Sequence, residues 1–191
     1  MNYKGDIFYL NEVLRGNTSA YTFIVDRYQD KVFNLAMRIC GNREEAEEIS
    51  QDAFLKAFRA LPNFRFESGY ATWLYKIVYN TSISYLRSGR KEKVSLEDLP
   101  AEKVVSAGYR ETEEVAEMEH RKLMVNYALQ KLGDEEKAII TLYYYEDMSV
   151  EEISEITSLT RDNVKIRLFR SRKKMLETIR NIETLIDINH G

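Results

Sequence analysis

The most constraining feature of this 191-residue chain lies at residues 148–176, where two helical patterns are separated by a very short turn. Ser149 and Glu152 form a Ser-x-x-Glu capping box, which predicts that a helix begins at Val150. A second helix is predicted to begin after Thr160, whose hydroxyl suits an N-cap. A short helix, a tight turn and a basic helix make up the helix-turn-helix pattern, which places its second helix in the major groove of DNA.

Helical spacing divides this second helix into two faces. Val164, Leu168 and Met175 are predicted to face inward, with the small Ser171 beside them. An amphipathic surface helix with a solvated basic face is the alternative interpretation of the same pattern. The predicted outward side carries Lys165, Phe169, Arg172 and Lys173, with Ile166 and Arg170 at its flank.

The whole chain is predicted to be all-α, because it contains only two prolines and no sustained β-type alternation. A single cysteine excludes an internal disulfide, and with two histidines it is too few for a Cys/His metal cluster. No phosphate-binding Gly-x-x-x-x-Gly-Lys loop or His-Glu-x-x-His pair is present, so an enzyme is the least favoured class. No cofactor is expected. Without a secretory signal or a long apolar run, we expect a cytoplasmic protein that does not insert directly into a membrane.

Charge is distributed unevenly along the chain. Residues 161–180 contain eight basic and two acidic side chains, whereas residues 92–119 contain nine acidic and three basic ones. The basic segment attracts phosphate and the acidic segment repels it. Because residues 94–112 are acidic, lack periodicity and contain Pro100, we predict two small helical domains, 1–93 and 113–191, joined by a flexible acidic linker at 94–112.

The predicted first domain begins with two helices that meet near residues 28–31 and end at Gly41. The next predicted helix covers residues 43–61 and has an acidic outer face that also carries Leu55. This outer face either serves solubility or docks a basic protein partner, and composition alone leaves both open. The inward stripe of the same helix is narrow and consists of Ala46, Ile49, Ala53 and Ala57.

Residues 62–70 are predicted to form a loop, since they include Pro62 and Gly69. The loop carries three aromatic side chains and an arginine. Such rings either fill the core or stack on unpaired bases of single-stranded nucleic acid. A helix over 71–87 follows and ends in a basic segment.

Taken in order, the stretches 42–54, 64–87 and 160–176 resemble a bacterial sigma factor of the extracytoplasmic-function (ECF) group, over roughly residues 15–180. The first stretch is similar to the family's helix that docks on the clamp of the largest RNA polymerase subunit. Here Gln51-Asp52 stands where the family commonly has Gln-Glu, which keeps the charge. The resemblance implies that the polymerase contacts are Glu48, Gln51, Asp52 and Leu55.

The second stretch is similar to the family's promoter-melting loop and the helix behind it. In the family this loop captures a base flipped out of the −10 element, and aromatic stacking offsets part of the unstacking cost. The resemblance implies base-binding roles for Phe64, Arg65 and Ser68, a base-pocket role for Asn80, and strand-backbone contacts for Lys76 and Arg87. Phe66 and Gly69 vary from common family loops, so the preferred base stays open.

The third stretch is similar to the family's −35-reading helix. The resemblance implies that Lys165, Ile166, Phe169 and Arg170 face base edges or sugars. It assigns phosphate contacts, which position the helix without specifying sequence, to Arg161, Arg172 and Lys173. Ile166 stands where the family often has serine, which suggests an apolar contact such as a thymine methyl.

The resemblance implies a sigma factor that directs core RNA polymerase to promoters, reads their −35 and −10 elements and helps melt the −10 region. Its implied partners are the polymerase, including the second-largest subunit, promoter DNA, and an anti-sigma factor of the kind often anchored in the membrane. The alternative is a conventional helix-turn-helix regulator that binds duplex operator DNA without polymerase.

Overall fold

The computed structural model describes residues 5–89 and 113–190, with side-chain packing described for 5–89 and 117–184. Within this part of the chain there are eight α-helices and no strand, which confirms the predicted all-α class. The predicted linker at 94–112 lies outside the described residues. The helices are α1 (Asp6–Leu14), α2 (Tyr21–Cys40), α3 (Arg43–Ala60), α4 (Tyr70–Gly89), α5 (Glu113–Gln130), α6 (Asp134–Tyr144), α7 (Val150–Thr157) and α8 (Arg161–His190).

Helix α2 is one continuous helix of 20 residues, so the predicted meeting of two helices near residues 28–31 is wrong. The chain breaks earlier, at residues 15–20, where Gly16 adopts a φ of 101°. This left-handed backbone suits glycine because it has no Cβ. Residues 28–31 contain neither glycine nor proline, and the buried Tyr28 and Val32 continue one apolar face through them.

The N-terminal half packs α3 closely against α2 and α4. The predicted inward stripe of α3 is confirmed, since Ala46, Ile49, Ala53 and Ala57 are at most 1% exposed. Three alanines on this stripe allow the helix axes to approach. Larger side chains of the neighbouring helices, including Leu35, Ile39 and Leu74, are buried in the same cluster as these alanines.

The two halves share one apolar core. Helix α6 packs against α2, and α7 packs against α4. Ile139 of α6 and Ile153 of α7 are fully buried in the same cluster as Leu35 and Leu74 of the N-terminal half. Burial of one such side chain contributes about 1.5–3 kcal/mol relative to full exposure, shared between contacts inside its own half and contacts across the junction. The halves are therefore held together by apolar contact as well as by the polar contacts described below.

The end of the chain forms a small second cluster. Met124 of α5 and Ile182 of α8 are buried against each other, with Leu123, Tyr127 and Ile179 around them. This cluster explains why α8 continues well past residue 176, because its later turns have an apolar surface on α5 to cover.

Candidate nucleic-acid and partner surfaces

The turn between α7 and α8 is built by local hydrogen bonds. The Ser149 hydroxyl accepts from the Glu152 backbone N–H at 3.2 Å, and the Glu152 carboxylate accepts from the Ser149 N–H at 2.9 Å. This confirms the predicted capping box and the start of α7 at Val150. The chain then turns at Ser158, whose φ is 60°, and the Thr160 hydroxyl accepts from the Asn163 N–H at 3.3 Å. The second cap confirms the predicted start of α8.

The recognition segment, defined as residues 161–176 of α8, has the predicted inward face. Val164 and Ser171 are fully buried and Leu168 is 2% exposed. Phe169 is 67% exposed and Ile166 is 46% exposed, although exposing large apolar side chains to water is unfavourable. Both face away from the core, together with the exposed Lys165, Arg170, Arg172 and Lys173.

Two cations of this segment form long ion pairs with exposed carboxylates. Arg161 lies 3.6 Å from Glu151, and Lys173 lies 4.0 Å from Glu177. All four side chains are more than half exposed, so these ion pairs contribute little to stability. The outer face can therefore exchange its carboxylate partners for phosphates at small cost.

The two phenylalanines of the loop between α3 and α4 differ in their exposure to solvent. Phe64 is 8% exposed and packs on Trp73 with ring centroids 4.8 Å apart. Phe66 covers it at 4.6 Å, is 40% exposed and has a φ of 56°. Such a φ is uncommon for a bulky residue. Arg65 is exposed and Ser68 is half-buried.

Helix α4 brings the other candidate −10 residues onto one side. Lys76, Asn80 and Arg87 lie within about 40° of one another at 100° per residue. Lys76 is half-buried, whereas Asn80 and Arg87 are exposed. Thr72, Tyr75 and Tyr79 occupy the neighbouring face and are buried. The candidate DNA face of α4 therefore borders the face on which the C-terminal half packs.

The outer face of α3 is acidic with one apolar side chain. Leu55 is 54% exposed, Glu48 and Gln51 are exposed, and Asp52 is half-buried. The Tyr85 hydroxyl donates to Glu48 at 3.1 Å, and this bond raises the Tyr85 pKa. Asp52 pairs with Lys56 at 2.7 Å within the same helix. These four side chains form one surface, which we name the α3 surface.

Polar contacts cross the junction between the halves. The Tyr75 hydroxyl donates to the Glu146 carboxylate at 2.6 Å, and burial followed by this bond raises the Tyr75 pKa. The Thr72 hydroxyl donates to Glu152 at 3.3 Å. The Glu152 pKa is lowered by the hydrogen bonds from the Ser149 N–H and hydroxyl and then by Thr72. The capping residue of α7 is thus also a contact to α4.

Further junction contacts involve arginines. The Arg38 guanidinium lies over the Tyr145 ring, 3.9 Å from its centroid, which is within cation–π range. Across the junction Glu135 accepts from Arg87 at 3.4 Å, and within the C-terminal half it accepts from Arg167 at 2.8 Å. The sequence predicts a role for Arg87, as a −10 contact, but not for Arg38, Tyr145, Glu135 or Arg167. The partners of these residues are distant in the chain, and no local pattern marks them. The sequence also predicts no role for the exposed Phe66.

Within residues 5–89 and 113–190 we searched for groups of metal-binding side chains and for helices that could span a membrane. These residues contain no group of three or more His, Cys, Asp or Glu side chains that could hold a metal ion. In the same part of the chain, every helix is too short or too polar to cross a bilayer.

Comparison with known families gives two matches that together cover most of the chain. Residues 24–92 match the family described as Sigma-70 region 2. Residues 122–175 match the family described as Sigma-70, region 4. The first match contains the α3 surface and the loop before α4, and the second contains the recognition segment.

Curated relatives extend the similarity to nearly full length. The ECF RNA polymerase sigma factor SigW of Bacillus subtilis is 30% identical over 91% of this chain and 96% of its own length. The ECF RNA polymerase sigma-E factor of Escherichia coli K12 is 32% identical over 86% of this chain and 88% of its own length. Among solved structures, CnrH in complex with the cytosolic domain of CnrY has a TM-score of 0.67 at 20% identity, covering 93% of this chain and 99% of that one. RpoE of Bartonella quintana, in complex with the anti-sigma factor NepR, has a TM-score of 0.65 at 19% identity, with 84% and 96% covered.

Proposed function

This chain belongs to the ECF group of RNA polymerase sigma factors, and from that premise we propose which of its surfaces carry each step of promoter recognition. It is a promoter-directing transcription initiation factor and not an enzyme. Residues 1–93 act as the polymerase-binding and −10 domain. Residues 113–191 act as the −35 domain, and residues 94–112 connect the two.

The observation that carries the proposal is the two-sided recognition segment. Leu168 is buried at 2% exposure while its neighbour Phe169 is 67% exposed, in a helix that follows a capped helix and a tight turn. A major groove admits such a helix, and its base edges can be read by side chains on one face. Base edges and sugars are contacted by Lys165, Ile166, Phe169 and Arg170, and phosphates by Arg161, Arg172 and Lys173.

The −10 element is read by the loop before α4 and by the adjoining side of that helix. Arg65 and Ser68 contact the unpaired strand, Asn80 shapes the base pocket, and Lys76 and Arg87 hold the backbone. Phe64 supplies a stacking surface for a flipped base once Phe66, which covers it at 4.6 Å, moves aside. Because Phe66 is itself 40% exposed, it is an additional stacking ring of this loop.

Core polymerase binds the α3 surface through Glu48, Gln51, Asp52 and Leu55. The exposed Leu55 provides the apolar anchor and the acidic neighbours complement a basic site on the clamp of the largest subunit. The C-terminal half then lies against the second-largest subunit. The polymerase performs the chemistry, so the chain needs no cofactor.

Simultaneous reading of both elements requires the two halves to separate. Elements named −35 and −10 lie about 25 base pairs apart, or roughly 85 Å at 3.4 Å per base pair. In the packed arrangement α4 and α7 touch directly, as the 3.3 Å contact between Thr72 and Glu152 shows. The 23 residues between α4 and α5 can span at most about 80 Å, and the length of the helices in each half supplies the remaining few ångströms.

An anti-sigma factor is the proposed inhibitory partner, and we propose that both it and this chain act in the cytoplasm. The related RpoE of Bartonella quintana was solved with the anti-sigma factor NepR. In this chain, such a partner would cover the α3 surface or hold the halves together. Anchoring of that partner in the membrane is part of the same proposal.

Run-off transcription tests the proposed function directly. Purified core polymerase is combined with this chain on a promoter library, and we expect initiation from templates that share one pair of elements. The Phe169→Ala variant is tested beside the wild type and should initiate less, because it removes a candidate DNA contact from an exposed position. Tight duplex binding by the chain alone, with no added initiation, would instead indicate a conventional regulator.

A further inference from the structure

The first turn of α6 contains three consecutive acids, Asp134, Glu135 and Glu136, which we name the acidic turn. Glu135 accepts from Arg167 of α8 at 2.8 Å and from Arg87 of α4 at 3.4 Å. Each of these arginines meets a different oxygen of the carboxylate. One side chain therefore holds cations from both halves of the protein.

Glu136, the next residue of the acidic turn, lies near a third cation. Its carboxylate lies 4.0 Å from the Lys174 ammonium of α8. Arg87, Arg167 and Lys174 line one open groove between the halves, opposite the acidic turn. Glu135 and Arg167 are each about one-third exposed, so water screens their pair less than it screens the surface pairs of the recognition segment.

The chemistry of these contacts matches that of a phosphate site. Guanidinium groups bind carboxylate and phosphate oxygens with the same forked geometry. Arg87 is a candidate contact to the −10 strand. Arg167 and Lys174 lie on the flank of the recognition segment, three and four positions from the exposed Arg170 and therefore next to it on the helix surface.

We propose that the acidic turn acts as an internal substitute for DNA phosphates. In the free chain it occupies Arg87, Arg167 and Lys174. Separation of the halves releases Arg87, and promoter phosphates displace the carboxylates from Arg167 and Lys174, which lie in the same half as the acidic turn. This inference rests on the proposed function, because it assumes that α4 and α8 contact DNA. It assigns phosphate-binding roles to Arg167 and Lys174, and an inhibitory role to Glu135.

The contact links packing of the halves to DNA binding. Arg87 and Arg167 reach one carboxylate only while α4 and α8 are held close together. Any free energy that this contact adds to the packed form is lost from DNA binding, since the same cations cannot serve both. Removing the carboxylate should therefore raise the DNA affinity of the chain in the absence of polymerase.

The test uses the full chain and three variants. Glu135→Gln removes the charge, and Glu135→Asp keeps the charge but is one methylene shorter, so it cannot reach both arginines. Glu155→Gln is the matched control, because Glu155 is exposed on α7 in the same half and lies outside the groove. Binding to fluorescent mixed-sequence DNA, single-stranded and duplex, is followed by anisotropy over a series of salt concentrations.

We expect Glu135→Gln and Glu135→Asp to bind DNA about fivefold more tightly than the wild type. The slope of log affinity against log salt concentration should be steeper by about one to two. Glu155→Gln should change affinity by less than about twofold. Equal gains for Glu135→Gln and Glu155→Gln, with Glu135→Asp unchanged, would show an effect of net charge alone and overturn the proposal. Unaltered affinity in both Glu135 variants, with helix content intact by circular dichroism, would also overturn it.

Run-off transcription with the wild type separates this inference from the proposed function. If the wild type initiates and the Glu135 variants bind free DNA no more tightly, the sigma assignment of surfaces stands and the role of the acidic turn falls. If the wild type does not initiate with core polymerase, the proposed function itself is overturned.

Discussion

Replacing Leu168 and Phe169 by alanine, one at a time, tests the orientation of the recognition segment. The two residues are neighbours, but Leu168 is 2% exposed and Phe169 is 67% exposed. Leu168→Ala leaves a cavity in the core shared by both halves, and such changes cost about 2–5 kcal/mol of unfolding free energy. For a chain of this size the melting temperature should fall by roughly 5–15 °C.

Phe169→Ala should behave in the opposite way. A surface change leaves stability within about 0.5 kcal/mol of the wild type. If about two-thirds of the ring area is buried on DNA, its loss costs roughly 1–2 kcal/mol of binding, or roughly five- to thirtyfold in affinity. Thermal melting and polymerase-dependent promoter binding measure the two effects on the same samples. A destabilised Phe169→Ala with normal promoter binding would mean that α8 is rotated and that the assigned DNA face is wrong.

Three further tests use substitutions at other residues. Arg170→Ala should cost about 1–3 kcal/mol of discrimination between promoters. Arg172→Ala should instead weaken binding to all promoters and reduce the dependence of log affinity on log salt concentration. Equal effects of the two variants in a promoter panel would refute the division into base and phosphate contacts. The Glu152 pKa is lowered in the folded chain, so its stabilising contribution is complete above the ordinary glutamate pKa and is lost as the pH falls through the folded value. Melting temperatures of Glu152→Gln should therefore decline less steeply on acidification than those of the wild type, and parallel curves would contradict this. Leu55→Asp should abolish core polymerase pulldown while Leu176→Asp, a similarly exposed leucine on α8, should not; equal retention would exclude the α3 surface as the anchor.

The packed junction bears on how these results are interpreted. Variants at the outer faces, such as those of Leu55 and Phe169, leave the shared core untouched. Variants at Thr72, Tyr75 or Glu135 change the balance between packed and separated halves as well as any direct contact. A measurement of the distance between the halves, by fluorescence transfer between α3 and α8, distinguishes the two kinds of effect.

The sequence alone determined the helix-turn-helix and its faces. The hydrogen bonds between Ser149 and Glu152 and between Thr160 and Asn163 join residues three positions apart. Interactions of such short range are encoded by local residue types, so spacing predicts them. The same holds for the inward Val164 and Leu168, because helical periodicity needs no knowledge of the partner helix. Helical spacing does not predict the break before α2, since that break depends on the left-handed backbone of a single glycine, Gly16.

Only the tertiary structure decided what the predicted faces touch. Tyr75 meets Glu146 across 71 positions of sequence, and Thr72 meets Glu152 across 80. Periodicity predicts that α4 has a buried side, but it does not say whether that side meets the same half or the other one. The loop rings are a similar case, because composition could not distinguish the buried Phe64 from the exposed Phe66. Contacts of this kind depend on where whole helices pack, and that is set by the summed burial of many side chains rather than by any local pattern.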